Sequence, residues 1–344
     1  MSRSFRVALT ADLLKNPKLT EISFSVFQAY KWLETKPLDK NHPEIFPDQY
    51  SDANGIIVGG SRITEKTVSG AENLLAIGRF GVGYERVDVS ACTNSDVLAF
   101  TTPGAVDHSM AEGTVSWMLA LCHQIRIKDH LARTGGWETR ANMLGSELRD
   151  HTFGTIGLGH IARKAIELLK GFRMNQPIAF DPFISESDAD ALGVKLVSLE
   201  HLMSEADFVS VHCPFSASTH NLIGEKEIAL MKRTAFLINT ARGGIIDEDA
   251  LFIALQEHRI GGAALDCFVG EPLNTPPKFA QLDNVLLALH CIGFTPELHR
   301  DIGAAACRGM IELALGKRPQ GVLNPELFDR PSFQKKWKRL QYSL

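Results

Sequence analysis

The chain has 344 residues, of which 44% are hydrophobic and 22% charged, and its formal net charge is −4 at pH 7. This length predicts two domains, and an ordinary globular composition without a large basic face argues against a nucleic-acid partner. The six cysteines form no Cys-x-x-Cys pair, which predicts a reducing, cytoplasmic environment with neither disulfides nor structural zinc. The first residues hold too short an apolar stretch for a secretory signal, and no window approaches a membrane span, so we expect no membrane partner.

The first part of the chain alternates short apolar runs with helical or loop segments. Strands are predicted at 5–10, 55–60, 74–78 and 97–102. The segment that follows, 108–132, is apolar on more than one side, which predicts one long buried helix. At the other end of the chain, the basic run at 334–339 is expected to be a solvated tail.

A second series of apolar runs predicts a second sheet. Its strands are expected at 153–158, 177–181, 194–197, 207–212, 235–239, 263–266 and 284–289. Uninterrupted apolar strands that alternate with helices are typical of a parallel sheet covered on both faces. The last helical stretch, 299–316, would then cross back and pack on the first series.

The predicted fold class is therefore α/β, with two doubly wound parallel-sheet domains. A Rossmann nucleotide-binding domain at 106–296 is expected to be inserted in a flavodoxin-like substrate-binding domain. The latter would be formed by residues 1–105 and by the return of the chain at 297–344.

A glycine-rich turn opens the second series of strands. Gly157-x-Gly159-x-x-Ala162 directly follows an apolar strand and directly precedes a helical pattern. Gly157 would allow a tight turn, Gly159 would let a pyrophosphate approach the main chain, and Ala162 would keep the helix close to the sheet. The helix N-terminus would supply amides and a favourable dipole for the anion. The pattern predicts a dinucleotide site.

The next strand ends in Asp181, nineteen residues after Ala162. A ribose-binding carboxylate is expected at this point, where it would accept hydrogen bonds from the ribose and repel a 2′-phosphate. No arginine adjoins it within 180–183, so NAD is favoured over NADP as the cofactor. The alternative is a structural turn followed by a chance acidic residue.

Three polar residues, Arg242, Glu271 and His290, each come after a different strand of the second series. In an open parallel sheet those strand ends face the ligand crevice. A guanidinium can bind a carboxylate and polarise a keto oxygen, and an imidazole can donate a proton to the forming alkoxide. A carboxylate beside the ring would orient it and favour its acid form. Together these residues predict hydride transfer to a 2-keto acid.

Each of the three has a structural alternative when it is taken alone. His290 could be a structural histidine, Glu271 a solvated loop carboxylate, and Arg242 an ion-pair partner of Asp247. Their joint placement at strand ends beyond the glycine-rich turn favours catalysis.

From about residue 53 to 326 the chain resembles the D-isomer-specific 2-hydroxyacid dehydrogenase family. GLGHIA at 157–162 and ADFVSVHCPFSASTHNLI at 206–223 are similar to its two nucleotide signatures. INTARGGIIDEDAL at 238–251 is similar to its arginine signature. AALDCFVGEPL at 263–273 and LALHCIGFTPE at 287–297 are similar to the segments that carry its glutamate and histidine.

The resemblance implies roles for specific residues. Arg242 would bind substrate, Glu271 and His290 would form the acid–base pair, and the loop IGRFGVGYERVDV would offer the backbone amides of Val82 and Gly83 to the substrate carboxylate. The segment 107–132 would form a homodimer contact. The implied NAD contacts are Gly157, Gly159, His160, Ile161, Asp181, His212, Cys213, Pro214, Thr219, Thr240, Ala241, Asp266, His290 and Gly293.

The resemblance implies an NAD-dependent oxidoreductase for a small D-2-hydroxy or 2-keto acid, of the hydroxypyruvate, glyoxylate or phosphoglycerate type. Two alternatives on the same scaffold are an NAD-sensing, corepressor-like binding protein and a formate dehydrogenase-like enzyme, although Glu271 speaks against the latter. The chain departs from the family pattern in two places. Leu289 stands where proline is usual, and YERVD stands at 84–88, where the family more often has an asparagine or aspartate near the loop. Four side chains could meet the far end of a substrate, or be no more than surface groups: Ser61, Arg62, Arg79 and Arg86.

Overall fold

A computed structural model describes residues 4–40 and 42–342 of the chain. The chain divides into two compact units. The first unit runs up to Val106 and resumes at Phe294, and the second unit spans Asp107–Gly293. The predicted boundaries are 105/106 and 296/297.

The first unit begins with a five-stranded sheet in which every pairing is parallel, in the order β2-β1-β3-β4-β5. Strand β2 is absent from the prediction because its sequence, LETKP, is polar and its residues after Leu33 are exposed. It is an edge strand, which needs no apolar pattern on both faces. The elements of this part are β1 (Phe5–Leu9), α1 (Pro17–Phe24), β2 (Leu33–Pro37), β3 (Gly55–Val58), α2 (Glu65–Val68), β4 (Ala76–Arg79), α3 (Val89–Asn94) and β5 (Leu98–Phe100).

The second unit contains a seven-stranded parallel sheet. Its elements are α4 (Asp107–Cys122), α5 (Ile125–Thr134), β6 (Phe153–Ile156), α6 (His160–Leu169), β7 (Ile178–Phe180), α7 (Glu186–Ala191), β8 (Lys195–Leu196), α8 (Leu199–Glu205), β9 (Phe208–Val211), α9 (Glu225–Leu230), β10 (Phe236–Asn239), α10 (Glu248–Gln256), β11 (Gly262–Leu265) and β12 (Val285–Leu287). The strand order is β12-β11-β10-β9-β6-β7-β8. The order reverses between β6 and β9, which is the switch point where doubly wound sheets bind ligands.

The chain then returns to the first unit through α11 (Pro296–Ala314) and α12 (Pro331–Leu340). Both parallel sheets of the predicted α/β fold are therefore confirmed. The central strands of the second sheet are buried from end to end, as in β6, β9 and β11. Side chains from alternate positions of these strands enter two separate apolar clusters, one on each face of the sheet.

The predicted single helix at 108–132 is wrong in its extent, because α4 ends at Cys122 and α5 begins at Ile125. Gln124 between them has φ of +54° in the left-handed region, which interrupts the helix. Helix α4 buries Ala111, Met118 and other small or apolar side chains, whereas no residue of α5 is buried. The apolar side chains of α4 are therefore explained by burial, whereas those of α5 are not.

The prediction of a solvated C-terminal tail is also wrong. The basic run lies in α12, which packs on the first unit through the buried Phe333 and Leu340. Trp337 donates its Nε1–H to the Leu313 carbonyl at 2.7 Å, and Lys336 donates to the Ala71 carbonyl at 3.0 Å. In the sequence, basic residues stand between the apolar ones, so the apolar face becomes evident only when the residues are arranged at helical spacing. Within the part of the chain that the structure describes, no helix is long and apolar enough to cross a membrane.

Candidate active site

The turn after β10 holds Arg242 at the carboxyl end of the second sheet. Asn239, the last residue of β10, is 2% exposed and organises this turn. Its side-chain oxygen accepts the Ala241 N–H at 3.0 Å, and its amide donates to the Arg242 carbonyl at 2.8 Å. The guanidinium donates from Nη1 to the Ala241 carbonyl at 2.6 Å. The arginine is thus fixed in a closed turn and not in an open loop.

Gly243 brings this turn close to the loop that carries Glu271. A Cβ at Gly243 would overlap the main chain of Phe268 and Val269, so only glycine permits the approach. Gly244 next to it has φ of +81°, which also favours glycine. The two glycines therefore do more than turn the chain away from Arg242, because they pack two site loops together.

The loops after β11 and β12 are joined by Asp266. Its carboxylate accepts the Cys291 N–H at 2.8 Å and the Ile292 N–H at 3.2 Å, and its carbonyl accepts the His290 N–H at 2.8 Å. Burial raises the pKa of Asp266, although the two N–H groups and the nearby His290 oppose this shift. Asp266 thereby sets the position of the histidine loop.

His290 and Glu271 form a close pair between these loops. Nδ1 of His290 lies 2.6 Å from Oε1 of Glu271, and the side chains are 44% and 28% exposed. Burial, the largest influence, raises the pKa of Glu271. The hydrogen bond and charge of His290, the Phe268 N–H and the charge of Arg242 together outweigh it, so the pKa is lowered. The carboxylate is therefore ionised near neutral pH, and Nε2 is the ring nitrogen that does not face it.

Asp247, the alternative partner considered for Arg242, has a role of its own. It is the N-cap of α10, where its carboxylate accepts the N–H groups of Asp249 and Ala250. The neighbouring Glu248 accepts the Val269 N–H at 2.7 Å and so supports the loop that carries Glu271.

The glycine-rich turn between β6 and α6 has the geometry of an anion cradle. Gly157 has φ of +93°, and a Cβ there would lie 2.9 Å from the main chain of His212 and Cys213. Gly159 is the N-cap of α6, and a Cβ built on it meets nothing within 4 Å. Ala162 is fully buried against the sheet. The open space at Gly159, at a helix N-terminus, suits the pyrophosphate of a dinucleotide.

Asp181 follows β7 directly, beside this turn. Its Oδ2 accepts the Leu158 N–H at 2.8 Å, and its Oδ1 accepts the Phe183 N–H at 2.9 Å. Each carboxylate oxygen retains a lone pair for a ribose hydroxyl. The residues present therefore fit NAD, and the backbone bonds explain how the carboxylate is oriented.

The other predicted nucleotide contacts lie in the same unit. Burial lowers the pKa of His212 to about 4, and its Nε2 lies 2.9 Å from Ser210 Oγ. Thr219 donates to the Pro214 carbonyl at 2.7 Å. The remaining contacts are at the start of α6, after β9, after β10 and after β12: His160 and Ile161, Cys213, Thr240, and Gly293.

Val82 and Gly83 lie in the first unit, in the loop after β4. Arg79 supports this loop by donating from Nε to the Gly83 carbonyl at 2.8 Å, and it also donates to the Phe80 carbonyl. Ser61 and Arg86 make similar internal bonds, to the carbonyls of His42 and Gly60. The role of the two amides in carboxylate binding stays a prediction.

Sequence reasoning missed two features of the site. Asn239 could have been found from its place at the end of an apolar strand, where a buried amide must be hydrogen-bonded. Cys267 gives no such signal, yet it is 2% exposed and its Sγ lies 3.8 Å from Nδ1 of His290. Leu289, which departs from the family pattern, is 87% exposed and leaves the histidine pair intact.

A family model described as "D-isomer specific 2-hydroxyacid dehydrogenase, NAD binding domain" matches residues 115–291. The chain is similar to a D-3-phosphoglycerate dehydrogenase from Methanocaldococcus jannaschii, with 37% identity over 80% of this chain and 53% of that protein. It thus spans about half the length of that relative. It is also similar to a glyoxylate reductase from Aeropyrum pernix, with 33% identity over 86% of this chain and 91% of that protein.

Among solved structures, the fold is similar to that of a D-lactate dehydrogenase from Escherichia coli. The TM-score is 0.77 and the alignment covers 93% of this chain and 100% of that chain. Sequence identity is 23%, so this likeness concerns the fold alone.

Proposed function

The chain belongs to the D-isomer-specific 2-hydroxyacid dehydrogenase family, and we propose that it transfers a hydride between NAD(H) and a small D-2-hydroxy acid or 2-keto acid. The His290–Glu271 pair carries this proposal. A carboxylate 2.6 Å from Nδ1 would orient the imidazole for acid–base catalysis, and both residues lie in the stretch matched by the NAD-binding family model. An NAD-sensing protein on the same scaffold would keep these residues, so turnover is the measurement that separates the two functions.

Each polar residue has a proposed role. His290 donates the proton from Nε2 to the forming alkoxide in reduction and accepts it in oxidation. Glu271 holds Nδ1 and stabilises the imidazolium that exists before the proton is transferred. Arg242 binds the substrate carboxylate through its fork of donors and polarises the keto oxygen. Val82 and Gly83 are proposed to bind a substrate carboxylate through their backbone N–H groups.

The glycine turn, Gly157 and Gly159, and the carboxylate of Asp181 are proposed to hold the cofactor. The nicotinamide supplies the hydride in reduction and receives it in oxidation. The carboxylate of Asp181 favours NAD because a 2′-phosphate would be repelled there. The substrate classes that fit are hydroxypyruvate, glyoxylate and phosphorylated three-carbon 2-hydroxy acids, since the relatives include glyoxylate reductases and D-3-phosphoglycerate dehydrogenases.

The test is turnover by the purified chain. NADH oxidation is followed with hydroxypyruvate, glyoxylate and 3-phosphohydroxypyruvate at one fixed NADH concentration, and the reverse reaction is followed with each D-2-hydroxy acid and its L-isomer. We expect kcat of about 1 s⁻¹ or more with one of these acids, and no comparable rate with formate or with the L-isomer. NADH binding without turnover on any acid would favour the binding-protein alternative.

We further propose that the chain forms a homodimer through the segment from α4 to Leu144. This segment exposes large apolar side chains: Ile125 is 52%, Trp137 71% and Leu144 80% exposed. Contact with a second copy of the chain would remove these side chains from water, which is favourable. The cytoplasmic location stays a prediction.

A further inference from the structure

The thiol of Cys267 lies against the His290–Glu271 pair. Its Sγ is 3.8 Å from Nδ1 of His290, the same nitrogen that faces Glu271. The three donor atoms of these residues all lie within 4.8 Å of one another. The sulfur end of this Cys267–Glu271–His290 cluster is buried, whereas the imidazole and the carboxylate are partly exposed.

We propose that the Cys267–Glu271–His290 cluster binds a zinc-like divalent cation, and that the bound cation inhibits the enzyme. Thiolate, imidazole and carboxylate are the three side-chain groups that zinc accepts in proteins. Three protein ligands leave a fourth tetrahedral position for water, and the exposed side of the cluster admits it. Among residues 4–40 and 42–342, no second group of three such donors converges in this way, so one ion is expected per chain.

The spacing of the donors suits tetrahedral coordination. Zinc bonds of about 2.3 Å to sulfur and about 2.0 Å to nitrogen or oxygen separate sulfur from nitrogen by about 3.6 Å, and nitrogen from oxygen by about 3.3 Å. The observed sulfur–nitrogen distance of 3.8 Å already matches. The nitrogen–oxygen distance of 2.6 Å must open by about 0.7 Å as the metal replaces the proton between Nδ1 and Oε1. The partly exposed Glu271 side chain would make this movement.

Binding is a coordination step with a defined proton balance. The thiol of Cys267 loses its proton to solvent. An imidazolium at His290 loses its Nδ1 proton to solvent and keeps the one on Nε2, whereas a neutral ring shifts its single proton from Nδ1 to Nε2. The sulfur and nitrogen lone pairs then bond to the metal. Metal affinity therefore falls as the pH falls. No oxidant or reductant takes part.

The bound cation would stop proton transfer, a consequence that rests on the proposed function. With the metal on Nδ1, the neutral ring of His290 keeps its one proton on Nε2, and loss of that proton would leave an imidazolate. The ring could no longer alternate between its acid and base forms. The carboxylate of Glu271 would also be withdrawn from its role beside the ring.

Metal binding is tested on the reduced, purified chain without cofactor or substrate. Co²⁺ is titrated into the chain, and a thiolate-to-cobalt charge-transfer band in the near ultraviolet is expected at one equivalent, reversed by Zn²⁺. The variants Cys267→Ser and Cys267→Ala should lose this band and bind cobalt about 100-fold or more weakly. Cys291→Ala is the matched control, since Cys291 adjoins His290 in the chain but does not belong to the cluster, and it should keep the band.

The unmodified chain gives a second measurement that does not depend on the variants folding. X-ray absorption of the zinc-loaded chain should show one sulfur at about 2.3 Å and nitrogen or oxygen neighbours at about 2.0 Å. A zinc shell without sulfur, or a cobalt band that survives in a folded Cys267→Ser chain, would overturn the site.

Turnover is measured separately, with each variant compared with its own zinc-free rate. Zinc should inhibit the native chain and Cys291→Ala at least about 10-fold, reversibly with a chelator, and the Cys267 variants should need about 100-fold more zinc. If a chain that shows the cobalt band turns over equally fast with and without zinc, the inhibitory role is refuted. A chain with the band and no turnover on any acid would instead refute the proposed function, and the inhibitory role with it.

Discussion

Nδ1 of His290 lies 2.6 Å from Oε1 of Glu271, although the two residues are nineteen positions apart in the chain. The two residues meet because β11 and β12 are neighbouring parallel strands whose carboxyl ends share one edge of the sheet. Asp266 adds the backbone bonds that bring the second loop to the first. The pairing therefore follows from topology together with one buried carboxylate.

The first prediction concerns Glu271→Gln and acid stability. Because the pKa of Glu271 is lowered in the folded chain, its carboxylate contributes stability that is fully present above its ordinary value of 4.5. That contribution is lost as the pH falls through the lowered folded value. The difference in unfolding free energy between the native chain and Glu271→Gln should therefore shrink as the pH falls below 4.5.

Urea unfolding at several pH values measures this difference. Glu205→Gln, at an exposed position at the end of α8, is the matched control and should show no such dependence. A difference that grows toward acid would mean that burial of Glu271, and not its bond to His290, dominates the shift.

The second prediction concerns His290→Ala. Loss of the proton donor should lower kcat by about 10² to 10⁴, because general acid catalysis contributes on that order. NADH binding, followed by nucleotide fluorescence, should persist. His201→Ala on the exposed face of α8 serves as the control. Unchanged turnover in His290→Ala would remove the residue from the mechanism.

The positions of the strands were readable from the sequence because parallel strands buried on both faces are uninterrupted apolar runs. All seven strands of the second sheet coincide with predicted runs, down to the two residues of β8. Strand β2 was not predicted because an edge strand with exposed polar residues does not form an apolar run. The positions of the glycine-rich turn and of the residues at strand ends could also be predicted, because they follow directly from the positions of the strands.

The helix break at Gln124 and the packing of α12 could not be predicted from the sequence. A left-handed glutamine leaves no compositional mark, and the interruption depends on tertiary contacts, such as the bond from its side chain to the Leu144 carbonyl. In α12 the apolar residues Phe333, Trp337 and Leu340 lie at helical spacing, but lysines and an arginine dominate the run. The proximity of Cys267 to His290 requires the register of two strands and the path of two loops, neither of which composition gives.

The third prediction concerns Arg242→Lys. An ammonium group cannot form the two parallel hydrogen bonds of a guanidinium with a carboxylate, so KM for the keto acid should rise about 10- to 100-fold. The KM for NADH should stay near its native value. Arg259→Lys, in the connection between α10 and β11, is the control. Steady-state kinetics measure KM and kcat separately. A fall in kcat with unchanged KM for the keto acid would show that Arg242 does not bind the substrate.

The fourth prediction concerns Asp181→Asn. The amide keeps a side-chain oxygen for one of the backbone N–H groups of Leu158 and Phe183 but removes the charge that would repel a 2′-phosphate. The ratio of kcat/KM for NADH to that for NADPH should fall at least about 10-fold, mainly through KM for NADPH. Asp181→Ala should lower this ratio too, and should also lose thermal stability, because both backbone bonds are lost. An unchanged ratio in both variants would show that another residue selects the cofactor.

The last prediction tests the homodimer. If the segment from α4 to Leu144 forms the contact, a charge at one of its exposed apolar side chains must be buried without a partner, which is costly. The native chain should therefore have twice the monomer mass, and Trp137→Glu and Leu144→Glu should have masses closer to that of the monomer. Sedimentation equilibrium over a range of concentrations measures these masses. Leu230→Glu, which places the same charge on an exposed leucine of α9, should leave the mass unchanged. A native chain that sediments as a monomer, or an equal shift in Leu230→Glu, would refute this interface.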